Sequence, residues 1–358
     1  MRSGVPGCRA GERDRGFSLL ELMVALTIGL LLVSGLLGIF SSTKQTYLLN
    51  ENIARLQENA RFAMETLVRE IRMAGYWGCV SDLPPGNQLV TPHGLSWALN
   101  ERIRGYDNSN QAALPPVLQG KALPGTDAIV VSGIDPKAMT IESHNACTAQ
   151  FKTALGHDVQ TNEILFVTDC TQGVIFQVTQ ASQVNRTLDH QTGSGSIGNV
   201  SACLGGDCSG ACASAWYQYG PNAMLSRIRS VAFFIGTGAS GEPALFWEIL
   251  NQGSGTTGIE LVDGVENLQL LYGWDTDADQ VANQYLTAAA VEAANAWSSI
   301  VSVRVGLLLR TADGVRSQLD QTPYTVAGTP IQVSGSTVTH PADFRIRKVV
   351  TSTLQLRH

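Results

Sequence analysis

Residues 22–43 (LMVALTIGLLLVSGLLGIFSST) hold no formally charged side chain, and that run limits what the chain can become more than any other feature. At ~1.5 Å per helical residue, a run of this length crosses a hydrocarbon core of roughly 30 Å. One carboxylate, Glu21, stands at its head, inside the apolar segment that opens at Phe17. A carboxylate costs about 2.5 kcal/mol or more near mid-membrane, which makes Glu21 a functional candidate. Arg2, Arg9, Arg13 and Arg15 precede the span and only Lys44 lies near its far end, so the N-terminus is expected on the cytoplasmic side. A secretory signal peptide fits poorly: no A-x-A-like cleavage site follows, and the apolar region is too long. An uncleaved anchor would keep the same orientation.

The segment GFSLLELMVA, behind its short basic leader, resembles the class III signal of type IV prepilins. The resemblance implies cleavage by prepilin peptidase between Gly16 and Phe17 and N-methylation of Phe17, with Glu21 as the glutamate characteristic of that signal. ENARFAMETLVREIRMAGYWGC, VDGVENLQLLYGWDTDAD and RKVVTSTLQL further resemble the minor-pilin assembly proteins called PilW. Residues 81–221 match nothing recognised. The family implies a subunit that supports initiation and assembly of the type IV pilus, with downstream roles in twitching, adhesion or DNA uptake. Expected partners are prepilin peptidase, other minor pilins, the major pilin, the inner-membrane assembly platform and the lipid bilayer. The chain would be a single-pass inner-membrane protein with a periplasmic head, and part of the pilus after assembly.

Physical chemistry gives Glu21 a task of its own. Cleavage would leave an ammonium on Phe17 at the start of a helix, among apolar helices once subunits assemble. A buried cation without a partner is expensive, and a carboxylate from a neighbour neutralises it. Beyond the span, Ile53, Leu56, Ala60, Ala63, Leu67, Ile71 and Ala74 recur at helical spacing. Glu51 with Arg55, Glu58 with Arg61, and Glu65 with Arg69 form acid-first pairs on the other side. No proline interrupts residues 17–74, and Gly75 is placed to end the helix. Gly29, Gly35 and Gly38 would allow close helix approach.

The expected fold is α+β and pilin-like: one long N-terminal helix packed on a mainly antiparallel β head with long loops. The expected divisions are a leader (1–16), a transmembrane and assembly helix (17–43), its amphipathic continuation (44–75) and a β-rich head (76–358) of one or two subdomains. Strands are predicted at 128–131, 163–168, 173–178, 227–235 and 244–250, with GTGASGEP as a hairpin turn. Val301, Val303, Val305, Leu307 and Leu309 alternate with Ser302, Arg304 and Arg310, and residues 350–356 alternate likewise, which marks strands with one covered face. Residues 287–297 predict a short helix capped by Thr287, and the Gly-, Ser- and Asn-rich stretch 181–222 predicts a long loop.

Cys8 would leave with the leader. Cys79, Cys147, Cys170, Cys203, Cys208 and Cys212 remain, an even set that fits up to three disulfides in a periplasmic domain, with fifteen pairings open. As a zinc site, Cys203, Cys208 and Cys212 lack a fourth ligand and a nearby histidine. Asp275, Asp277 and Asp279, with Asn283 beyond them, have the alternate spacing of a calcium loop, but Gln280 stands where a sharp turn wants glycine and Leu286 where a bidentate Glu would close it.

No catalytic motif is found: six histidines are scattered, and there is no P-loop, nucleophile elbow or dinucleotide fingerprint. The chain is therefore expected to be no enzyme and to need no cofactor. Net charge is −6, and −8 once the leader's four Arg and two acids are removed, so no basic footprint for nucleic acid exists. Two other classes share parts of this pattern. One is a pseudopilin of type II secretion, which has the same N-terminal logic. The other is a periplasmic enzyme or binding module on an uncleaved tether.

Overall fold

The computed structural model describes residues 18–79, 86–89, 101–107, 114–193, 198–250 and 258–356. The chain divides into two compact units, Met1–Glu51 and Asn52–His358. A single α-helix, Leu19–Arg72, runs through the division, as its unbroken pattern without proline predicts.

In the first unit every large apolar side chain of residues 19–40 is at least half exposed. In the second unit the helix continues as a buried stripe of Leu56, Ala60, Ala63, Leu67 and Ile71, with Ala74 just beyond, while Ile53 is half-buried. Gly75 then takes φ +72° and its N–H donates to Ser132 O at 2.9 Å, which ends the helix on the sheet. Two of the predicted ion pairs, Glu58 with Arg61 and Glu65 with Arg69, give way to other partners. Arg61 pairs with Glu65, and Arg69 with Glu70, which is itself buried against Arg229. Tertiary burial of Glu70 overrides the simple surface ladder.

The helix stripe joins the main core, formed by inner faces of Ala128–Ile134, Met224–Thr237, Pro243–Ile249, Val265–Trp274, Ile300–Arg310 and Arg347–Gln355. The last three, with Gln284–Leu286, form a four-stranded antiparallel sheet. Asp127 links it to the larger sheet: its N–H donates to Leu268 O, and its carboxylate accepts from Leu270 N, both at 2.8 Å. The 14-residue Met224–Thr237 strand serves two regions. Its start pairs with Ile164–Thr168, and its later part with Ala128–Ile134 and Pro243–Ile249. Leu225 thus lies in a second core with Ile141, Phe151, Leu165, Phe176 and Leu188.

Three local expectations change. The Ile300–Arg310 strand is covered on both faces, because Leu308 packs on Val326 and Ile331 of a small three-stranded sheet. Gly306 permits that approach: a Cβ there would come within 2.8 Å of Ala327 N. The stretch 181–222 is not one loop. Gln180–Ser182 and Thr187–Asp189 form a hairpin, with Arg186 at φ +59° in its turn, and Cys212–Ala215 is a helical turn. The helix after Thr287 stops at Ala293, and a 3-10 turn follows at Trp297–Ser299. Thr287 does cap it, accepting from Ala290 N at 3.4 Å, while Asp107 accepts the N–H groups of Ala288 and Ala289.

Candidate assembly site

The helix begins with reciprocal hydrogen bonds. Ser18 N–H donates to Glu21 Oε2 at 2.9 Å, and Glu21 N–H donates to Ser18 Oγ at 3.2 Å. This is a capping box, and Ser-x-x-Glu spelled it out in the sequence as clearly as the prepilin resemblance did. It gives Glu21 a local duty that the sequence reading did not assign. Gly16 and Phe17 lie outside the described residues, as do all four leader arginines.

The polar side chains within the apolar run are also satisfied. Thr27 Oγ1 donates to Val24 O and Ser34 Oγ to Leu31 O, each at 2.8 Å. Such back-bonding hides hydroxyls from an apolar surround. Glu21 is then the one ionisable group of residues 18–43. Among the described residues a Cβ at Gly29, Gly35 or Gly38 would meet nothing within 4 Å, which suits close approach by another helix. The helix offers an apolar surface long enough to cross a membrane, with one acid at its tip.

In the head, all six predicted cysteines pair: Cys79 with Cys170, Cys147 with Cys212, and Cys203 with Cys208. The 203–212 cluster is therefore split between two bridges. The bridges fasten the second core and the segments that cover it, where 181–222 has little regular structure of its own.

Ligand atoms of Asp275, Asp277 and Asp279 lie within 4.8 Å of one another. Asp275 accepts N–H groups from Asp277, Ala278 and Gln280 at 3.2, 2.7 and 2.8 Å. Burial works to raise its carboxyl, but these bonds outweigh it and lower the pKa. Asn283 Oδ1 accepts from Thr276 N and Oγ1, at 2.7 and 3.0 Å. Gln280 takes φ +66°, the left-handed turn at which glycine would be least strained.

Sequence reasoning missed a buried charge cluster. Arg347 is fully buried and all five of its N–H donors are engaged. Glu266 accepts from Nε and Nη2 at 2.6 and 3.1 Å, Asp343 from Nη1 and Nη2 at 2.8 and 3.0 Å, and Asp320 from Nη1 at 3.2 Å. Arg310 pairs with Glu266 and Glu242, and Arg345 with Glu242. Burial acts to raise the Asp320 carboxyl, yet hydrogen bonds from Tyr324, Thr322 and Arg347 bring it down to about 2. The signal was available: Glu266 and Arg347 both stand in the segments that resemble PilW.

A second buried polar pair lies in the other core. His144 Nε2 and His190 Nε2 are 3.1 Å apart, and Tyr219 N–H donates to His144 Nδ1 at 3.2 Å. That bond leaves the His144 proton on Nε2, directed at His190. Burial lowers both pKa values, to about 4 for His144 and, with the neighbouring ring adding to the effect, to about 3 for His190.

Residues 232–358 match the family model of the type IV pilus-assembly protein W, and residues 12–37 that of the prokaryotic N-terminal methylation motif. A type IV-like pilin from Thermus thermophilus aligns over 84% of this chain and 95% of its own, at 12% identity and a TM-score of 0.32. No curated protein matches the chain. The buried arginine cluster falls wholly inside the W-type region, and the capped apolar helix inside or just after the methylation motif. The chain is thus a type IV pilin-like protein that carries a prepilin methylation motif and a PilW domain.

Proposed function

We propose that this chain is a minor pilin that supports initiation and assembly of the type IV pilus. Prepilin peptidase cuts between Gly16 and Phe17, Phe17 is methylated, and the helix waits in the inner membrane with the head in the periplasm. The assembly platform then moves it into a filament with other minor pilins and the major pilin. The observation that carries this reading is the bare apolar helix: side chains at least half exposed throughout residues 19–40 need lipid first and neighbouring helices afterwards.

The cap geometry supports the role of Glu21. Ser18 N–H engages Oε2, which leaves Oε1 to accept from the ammonium of an adjoining protomer. One carboxylate then caps its own helix and fixes the axial offset of the next. No catalytic chemistry or cofactor enters.

Mass spectrometry of the mature N-terminus tests the reading. A chain beginning at N-methylated Phe17, present in sheared pili, is expected. A mature chain that retains residues 1–16 would overturn it and favour a tethered periplasmic module. Recovery with a secretin secretion complex and absence from pili would favour a pseudopilin.

A further inference from the structure

A strand at the end of a sheet leaves the N–H and C=O of every second residue without a ladder partner. Arg347–Gln355 is such a strand: among the described residues it pairs on one side only, with Ile300–Arg310. Leu356 fixes its phase, because its N–H donates to Val301 O at 2.8 Å. Hydrogen-bonded positions recur at every second residue of an antiparallel ladder, and this ladder runs without a register shift. Leu354, Ser352 and Val350 therefore turn their backbone groups inward, and Val349, Thr351, Thr353 and Gln355 turn theirs outward. Thr351, Thr353 and Gln355 are exposed, and Val349 is half-buried.

Among the described residues the edge also carries few of the usual guards, although the Tyr324–Val326 strand packs near its Val349 end. From Val349 onward it carries no charge, no proline and no bulge. The other sheet ends differ. Gly86–Asn87, Gln180–Ser182 and Gln284–Leu286 are two or three residues long, Ile103–Tyr106 carries Arg104, and Ile259–Asp263 carries Glu260 and Asp263.

We propose that this edge receives an extended backbone segment of a different, neighbouring pilin head by β-augmentation. The proposal rests on the pilin reading above. The chemistry of the edge selects its occupant: a row of alternating donors and acceptors is complemented by another strand, and an uncharged rim of Val and Thr suits β-branched partners. A second copy is the poorer occupant. Two identical edges would pair about a two-fold axis, which subunits with parallel stems in one filament do not possess.

The test uses the full chain in cells. Thr351→Pro removes one outward N–H and no internal ladder bond, and Thr351→Lys adds the charge that edges normally use as a guard. Both variants are expected to be processed at Phe17 and to accumulate as wild type, but to recover about tenfold less partner pilin on co-purification. A photo-reactive p-benzoylphenylalanine at Thr353 is expected to cross-link to another pilin. Wild-type recovery of partners by both variants overturns the proposal, as does a Thr353 probe that yields no pilin adduct or only an adduct with a second copy. If either variant fails to accumulate, the cross-link alone decides. Unprocessed Phe17 would sink the pilin reading itself, whereas normal processing with an inert edge sinks only the augmentation.

Discussion

Arg347 reaches past the intervening Ile300–Arg310 strand to grip Glu266 with two hydrogen bonds, of 2.6 and 3.1 Å. The strand between them contributes Arg310 to the same carboxylate at 3.4 Å. Three adjacent strands are thereby held in one register by charge as well as by their ladder.

Removing one member of a buried, fully bonded cluster strands its partners. Arg347→Met is expected to destabilise the head by roughly 3–5 kcal/mol, seen as a fall in denaturation midpoint. Arg347→Lys should recover little of it, since an ammonium cannot bridge Glu266, Asp343 and Asp320 from one plane. A near-wild-type midpoint for Arg347→Met would mean that the cluster contributes no net stability.

Glu21 has two duties that substitution can separate. Glu21→Gln keeps an oxygen for Ser18 N–H but loses the charge, and Glu21→Ala loses both. Cleavage and methylation at Phe17 should survive in each. Incorporation into sheared pili should fall about tenfold in both, since charge neutralisation and not capping sets it. Normal incorporation of the Gln variant would reduce Glu21 to a helix cap.

The buried histidines give the second core an acid limit. Their folded pKa values, about 4 for His144 and about 3 for His190, lie below the ordinary value of 6.5. The unfolded chain thus binds more protons below pH 6.5, and stability falls as pH drops from there toward 4 and 3. Asp320, held near 2, adds a loss of the same sign below pH 3.8. His190→Phe should flatten the upper part of this decline by roughly 1–3 kcal/mol in urea titrations at pH 4.5 against pH 7.5. An unchanged slope would remove the pair from the explanation.

The three bridges close loops of very different length. Cys79 and Cys170 are 91 residues apart, Cys147 and Cys212 are 65 apart, and Cys203 and Cys208 only 5. Chain entropy predicts losses of about 4–5 kcal/mol for serine pairs replacing either long bridge and about 2 for the short one. Peptide mapping checks the pairing, and thermal melts of the three double variants check the order.

The acidic loop is closed by its own backbone, with Asp275 already accepting three N–H groups. Melting in millimolar calcium and in chelator should therefore agree within about 1 °C, as only an ion bound to the native state shifts the midpoint. A chelator-sensitive midpoint would make Asp275, Asp277 and Asp279 an ion site.

Features that repeat with a period or follow a motif are legible from the residues alone. The 22–43 run, the 3.6-residue stripe from Leu56 to Ala74, the hairpin at GTGASGEP and the Thr287 cap all express local rules, and their traces survive in the fold. The Ser18–Glu21 box is equally legible in the Ser-x-x-Glu spacing. Tertiary structure alone decided which cysteines meet, that Leu308 has a covering sheet, and that 181–222 folds back as a hairpin. It also decided that Arg310 and Arg347 point into the protein and not into water. Those outcomes depend on contacts between residues far apart in the chain. A charged or glycine-rich segment carries no periodic mark of what will be brought against it; only the packed neighbours supply the acids, the bridges and the facing strands.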